Sequence, residues 1–243
     1  MKPIPQSSGP TPDRSAPSRP WFRRYPAAQF LVALMLACVS SPFTEALKDG
    51  DLIEAVRLTM VLLSGLVAVG GRHKILVGGI VLAAPALVGK WVNHWHPALV
   101  PDWMFLVPAV LFVLLLFAQL LRFILCAPRV NSEVLCAGVS GYLLLGMLWS
   151  FAYLLVARLS VDAFAFTAGS ASGHVMKGFS ALYFSFITLC TVGYGDIVPV
   201  SGAARMLAMT EAMIGTLYMA ILVARLVSLY SAQGPSLEPR KPE

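Results

Sequence analysis

The chain has 243 residues, of which 58% are hydrophobic and only 12% charged, with a formal net charge of +6. Long apolar runs of this composition predict an integral membrane protein, and they exclude an ordinary soluble enzyme. The basic residues are scattered over the N-terminal tail and short loops, so membrane topology explains the positive balance and no nucleic-acid partner is expected. The four cysteines lack the paired spacing of a metal site, and no nucleophile or nucleotide loop suggests catalysis or a bound cofactor.

The composition of the N-terminal half of the chain predicts a tail followed by a membrane domain. Residues 1–25 are rich in Pro, Ser and Arg and bury little apolar surface, which predicts a disordered cytoplasmic tail. Residues 26–127 then predict a four-helix membrane domain of undetermined role. Its apolar stretches lie at about 27–42, 52–70, 75–92 and 103–125.

The fourth stretch bears on voltage sensing, because it contains no Lys or Arg from Trp103 to Leu121. Moving one charge through 100 mV yields only about 2.3 kcal/mol, so steep voltage gating needs several such charges and is not expected here. His94 and His96, on a predicted external loop, are candidates for a response to pH or metal, although isolated loop histidines usually have neither role.

Residues 128–230 predict a second membrane unit with a short apolar segment between two long ones. The long segments cover about 134–157 and 203–229. The segment at 177–189 is aromatic-rich and too short to cross a bilayer, which predicts a re-entrant helix. Residues 231–243 predict a short cytoplasmic tail, too short for a gating domain.

The re-entrant segment leads directly into the run Thr191-Val192-Gly193-Tyr194-Gly195-Asp196. Four such loops around one axis can replace the water shell of K⁺ with rings of backbone carbonyls and one ring of threonine hydroxyls. Such a backbone must alternate between ordinary and left-handed conformations, which Gly193 and Gly195 permit. The run and the helices around it resemble the two-helix pore domain of prokaryotic potassium channels.

That resemblance implies an all-α membrane fold with six transmembrane helices, in which the re-entrant pore helix and the selectivity-filter loop lie between the fifth and sixth. It also implies a homotetramer that conducts K⁺ passively. Asp196 is expected at the outer mouth of the filter, while Val192 and Tyr194 point their side chains outward as a brace. The residues expected to coordinate K⁺ are Thr191, Val192, Gly193, Tyr194 and Gly195, with the ion sites themselves at Thr191 to Tyr194.

Two residues of the sixth helix are candidates for supporting roles. A carboxylate at membrane depth needs a partner or water, so Glu211 either supports the filter or is an incidental charge. Gly215 lies where many related channels have a hinge, and either a gating hinge or close helix packing would explain it. Ile187 stands where some bacterial channels carry a carboxylate behind the filter, so that brace is absent here.

The charges on the loops predict how the chain is oriented in the membrane. The Lys and Arg residues of the N-terminal tail and of the second-to-third and fourth-to-fifth loops would be cytoplasmic, as would both termini. We expect a multi-pass protein of a plasma membrane, specifically a bacterial inner membrane. A non-conducting or heteromeric regulatory subunit of another cation channel is the alternative function. The gating stimulus is not visible in the sequence.

Overall fold

The computed structural model describes residues 26–44, 50–69, 73–95, 103–160, 162–167 and 176–231. The predicted tail at residues 1–25, residues 232–243, His96 and the side chain of His94 lie outside the described residues, so the predictions about them are untested. The described chain forms seven helices and two short strands. Its helices are α1 Pro26–Thr44, α2 Gly50–Val69, α3 His73–Trp95, α4 Trp103–Cys126, α5 Ser132–Leu159, α6 Gly178–Leu189 and α7 Gly202–Ser231.

Each predicted helical segment is a helix whose bounds lie within three residues of the expectation. The apolar stretches of α4, α5 and α7 are long enough to cross a bilayer, namely Leu106–Cys126, Ser132–Leu159 and Gly202–Ser231. The described parts of α1, α2 and α3 carry shorter apolar stretches, at Ala27–Phe43, Ala55–Val67 and Leu76–Gly89. The protein is therefore an all-α multi-pass membrane protein, while the count of six spanning helices remains a prediction for the first three.

The N-terminal helices pack onto α5 of the same chain. α1 and α4 both contact α5, and one hydrophobic core runs from Phe30 of α1 through Phe112 and Leu116 of α4 to Leu144 of α5. All four side chains are almost completely buried. Although α1 and α5 lie far apart in sequence, they share this core.

Polar contacts join the ends of several helices. Asn131 caps α5, since its side chain accepts a hydrogen bond from the Val134 amide at 2.9 Å. In the first turn of α5, Glu133 accepts a hydrogen bond of 3.0 Å from the Ala27 amide at the start of α1. The first turns of α1 and α5 therefore lie at the same end of the helix assembly.

The small sheet was not predicted from the sequence. β1 Phe164–Phe166 pairs antiparallel with β2 Ile197–Pro199, so that Ala165 lies opposite Val198. These strands connect the segment after α5 to the segment after the filter. Each strand has only three residues and falls outside the long apolar runs, which leaves little periodicity to detect.

Candidate functional site

Residues 191–195 form an irregular loop directly after α6, and every second residue has a positive φ. The φ angles are 57° at Thr191, 55° at Gly193 and 78° at Gly195. The prediction of left-handed backbone at both glycines is confirmed. The positive φ at Thr191 was not predicted, and it is uncommon for a β-branched residue. Backbone strain of this kind, costing about 1–3 kcal/mol, concentrates at functional sites.

The amides of this loop donate hydrogen bonds to the end of α6, the predicted pore helix. The Val192 and Gly193 amides both donate to the Ile187 carbonyl, at 2.8 and 3.2 Å, and the Thr191 amide donates to the Thr188 carbonyl at 2.9 Å. Among the described residues, no donor pairs with the carbonyls of residues 191–194. The loop therefore presents a run of free carbonyl oxygens, and such hard oxygen ligands suit an alkali cation.

The Asp196 end of the loop is held by hydrogen bonds from two other segments. Tyr183 of α6 donates a hydrogen bond of 2.8 Å to the Asp196 carboxylate. The Thr167 hydroxyl, just after β1, donates to the Gly195 carbonyl at 2.8 Å, and the Thr167 amide donates to the Asp196 carbonyl at 2.8 Å. Asp196 thus lies at the junction between the pore helix and the small sheet, and one lone pair of the Gly195 carbonyl is already engaged.

Glu211 lies in a fully buried polar cluster between three helices. Its carboxyl accepts a hydrogen bond from Tyr153 of α5 and lies 2.5 Å from the Ser185 hydroxyl of α6. The Ser185 hydroxyl also lies 2.7 Å from the Gly146 carbonyl of α5. Tyr153, Ser185 and Glu211 are each 0% exposed, so the cluster joins α5, α6 and α7 out of contact with water.

The number of protons in this cluster indicates the state of the carboxyl group. Three oxygen-to-oxygen contacts link Tyr153, Glu211, Ser185 and Gly146. The two hydroxyls supply only two protons, whereas each hydrogen bond needs one. One further proton, carried by a neutral Glu211, would satisfy all three contacts. A neutral carboxyl also avoids the large cost of burying an unpaired charge.

Gly215 packs against the last residue of the pore helix. A Cβ at this position would lie 2.6 Å from Leu189 Cδ1 and 2.9 Å from the Leu189 carbonyl oxygen, and α7 continues through the glycine without a break. Of the two interpretations of Gly215, close packing thus has direct structural support. The gating-hinge role stays a prediction.

Two more tyrosines join α5 and α7 near the pore helix α6. Tyr218 of α7 donates to the Gly138 carbonyl of α5 at 2.7 Å, and its ring stacks on Tyr142 with centroids 6.1 Å apart. The Tyr142 hydroxyl reaches the Leu189 carbonyl at 3.4 Å. Small residues on α5 permit this approach, since a Cβ at Gly138 would lie 3.0 Å from the Leu222 side chain.

Comparison with known proteins agrees with this geometry. The family model described as "Ion channel" matches residues 134–232, which cover α5, α6, the filter loop and α7. Over these residues the chain is similar to ion channels.

Curated relatives match only parts of the chain. The chain is similar to two pore potassium channel c of Oryza sativa subsp. japonica, with 40% identity over 63 residues, 26% of this chain and 13% of that protein. Two-pore potassium channel 1 of Arabidopsis thaliana is 46% identical over 55 residues, 22% of this chain and 15% of that protein. Protein LctB of Geobacillus stearothermophilus is 35% identical over 88 residues, 36% of this chain and 63% of that protein. No solved structure matches the chain.

The sequence predicted roles for residues 191–196 and Glu211, but it gave no indication of the side chains that contact them. Tyr183, Thr167, Tyr153 and Ser185 carry no motif of their own, and their roles depend on how the segments pack. Only Glu211 gave a signal, because a lone carboxyl in an apolar helix requires a polar partner on a neighbouring element. The ion-coordinating roles of Thr191 to Gly195 remain predictions.

Proposed function

We propose that this protein is a potassium-selective channel that conducts K⁺ passively through the loop at residues 191–195. The observation that carries the proposal is the combination of free carbonyls at residues 191–194 with amides engaged by the pore helix. A cation that sheds its water needs several oxygen ligands in fixed positions, which four copies of this loop around an axis would supply.

Selectivity in this proposal depends on the filter keeping its shape when an ion leaves. Tyr183 and the Thr167 amide donate to Asp196, and Glu211 ties the pore helix to both membrane helices. These contacts oppose collapse of the filter around a smaller ion. Several adjacent weak sites would then allow each entering ion to displace the one ahead.

A homotetramer is part of the proposal, because one chain leaves the filter side chains uncovered. Tyr194 is 72% exposed and Val192 is 51% exposed in the single chain. The long helix α7 also exposes a series of large apolar side chains, including Met206, Met209 and Met213. Three further copies around the filter axis would cover these surfaces and complete each ring of oxygens.

We further infer that the channel lies in a bacterial inner membrane with both termini in the cytoplasm. The Lys and Arg residues of the predicted inner loops support this orientation. The first basic residue of α4 is Arg122, close to the end of the helix. This helix therefore lacks the repeated Lys or Arg residues that a membrane voltage could move. We therefore expect conduction without steep voltage dependence.

Flux through purified protein in liposomes tests the proposal. K⁺ efflux is expected from vesicles that contain the wild-type protein, with Ba²⁺ block and little flux when Na⁺ replaces K⁺. Gly193→Ala is the non-conducting control, since its Cβ at a φ of 55° strains the filter backbone. Equal Na⁺ and K⁺ flux would refute selectivity.

The alternative function, a non-conducting or heteromeric regulatory subunit, predicts a different result in the same assay. Vesicles with this chain alone would then show no more flux than those with Gly193→Ala, and native mass spectrometry would not find homotetramers. A K⁺ current from the pure homotetramer would exclude this alternative as the principal function.

A further inference from the structure

The carbonyls of the filter loop change abruptly in their hydrogen bonding between Tyr194 and Gly195. Among the described residues, no donor pairs with the carbonyls of residues 191–194, whereas the next two carbonyls, those of Gly195 and Asp196, both accept from Thr167. Thr167 lies just after β1, in a separate segment of the chain. One residue outside the loop therefore engages the last carbonyl of the loop, while the four before it stay free for an ion.

The hydroxyl proton of Thr167 is directed at Gly195. The hydroxyl oxygen lies 2.8 Å from the Gly195 carbonyl oxygen and 3.2 Å from the Asp196 carbonyl oxygen, which already accepts from the Thr167 amide at 2.8 Å. A hydroxyl has a single proton to donate, so the shorter contact, to Gly195, is the stronger one. This bond occupies one of the two lone pairs of the Gly195 carbonyl, the same oxygen that a K⁺ ion at the end of the loop would use.

The segment that carries Thr167 is fixed by the small sheet and by an aromatic cluster. β1 pairs with β2 along its whole length. In β1, the Phe164 ring packs edge-on against Tyr153 of α5 and Phe184 of α6, with centroids 5.7 and 5.5 Å apart. These ring contacts involve no residue of the filter loop, so they position Thr167 beside Gly195 independently of a bound ion.

We propose that Thr167 weakens the last K⁺ site of the filter loop by competing with the ion for the Gly195 carbonyl oxygen, an inference that rests on the proposed function. Thr167 is then a positioning residue, since it acts on the ion only through Gly195. A conducting filter must bind an ion well enough to admit it and weakly enough to release it. The free carbonyls of residues 191–194 favour entry, whereas an engaged ring at Gly195 lowers the affinity where the ion regains its water.

Single-channel currents of the purified protein in a planar bilayer, with K⁺ varied on one side at a time, test this inference. Thr167→Val keeps the shape of the side chain and the amide bond to Asp196 but removes the hydroxyl. Because the Gly195 oxygen is then free, the half-saturating K⁺ concentration should fall about three- to tenfold, the effect of one typical hydrogen bond. The fall should occur only on the side of the membrane that Asp196 faces. The maximum current should decrease as well, because each ion leaves more slowly.

Thr167→Ser is the matched control, since it keeps the hydroxyl and should retain the wild-type half-saturating concentration on both sides. Three results would overturn the inference. The first is an unchanged value in Thr167→Val. The second is a higher value, which would show that the hydroxyl orients the Gly195 carbonyl toward the ion. The third is an equal fall in Thr167→Ser, which would assign the effect to side-chain size. Absence of K⁺ current in the wild type would instead refute the proposed function, and this inference with it.

Discussion

Replacement of Glu211 tests the buried cluster behind the filter, because glutamine and alanine should behave very differently. A glutamine amide can donate to Ser185 while its oxygen accepts from Tyr153, which are the two contacts of a neutral carboxyl. Glu211→Gln is therefore expected to keep the cluster intact. Because both hydrogen bonds are kept, the free energy of unfolding should fall by less than about 1 kcal/mol, the net contribution of one typical hydrogen bond.

Glu211→Ala removes both contacts and leaves a cavity between three helices. Ser185 keeps the Gly146 carbonyl, at 2.7 Å, but the buried Tyr153 hydroxyl loses its acceptor. The unpaired hydroxyl costs about 1–3 kcal/mol, and together with the cavity the loss should reach roughly 2–5 kcal/mol per chain. Filter support should weaken as well, so K⁺ flux should fall.

Thermal unfolding of the detergent-purified variants, together with K⁺ flux in liposomes, measures both effects. Tyr153→Phe is the matched control, since it removes one hydroxyl from the cluster and leaves the ring contact with Phe184, at 4.8 Å between centroids. It should give an intermediate loss. If Glu211→Gln were as damaging as Glu211→Ala, Glu211 would be ionised in the cluster and the proton count would be wrong.

Three further substitutions test separate parts of the site. Gly193→Ala places a Cβ at a φ of 55°, which costs about 1–2 kcal/mol in every chain. K⁺ flux should therefore be lost, and normal flux would refute the assignment of this loop as the filter. Tyr183→Phe removes the hydrogen bond to Asp196, so single-channel records should show shorter openings, and unchanged open times would contradict a supporting role. Gly215→Ala must displace the Leu189 carbonyl, so it should lower thermal stability, whereas Thr216→Ala, at an exposed neighbour, should not.

The helices were predictable from the sequence because long apolar runs in this chain have few competing structures. The segment at 177–189 was predicted to be a short re-entrant helix from its length and aromatic content, and α6 spans Gly178–Leu189. The left-handed backbone at Gly193 and Gly195 was predictable because carbonyls can share one direction only in an alternating chain.

The polar contacts behind the filter could not be predicted in the same way. The Tyr153 to Glu211 bond joins residues 58 positions apart, and the Arg225 bond to Leu125 joins residues 100 positions apart. Such pairs depend on the relative rotation and depth of whole helices, which the hydrophobic pattern of a membrane segment does not encode. Thr167 was missed for a related reason, since three-residue strands give no recognisable periodicity.

The reversal potential of the purified homomeric channel in a planar bilayer, with K⁺ on one side and Na⁺ on the other, tests the central claim most directly. A filter built from the carbonyls of residues 191–194 predicts a strong preference for K⁺, well beyond tenfold, which corresponds to more than about 1.4 kcal/mol. The reversal potential should then lie far from zero, on the side set by K⁺. A reversal potential near zero, with Na⁺ carrying current as readily as K⁺, would contradict the account.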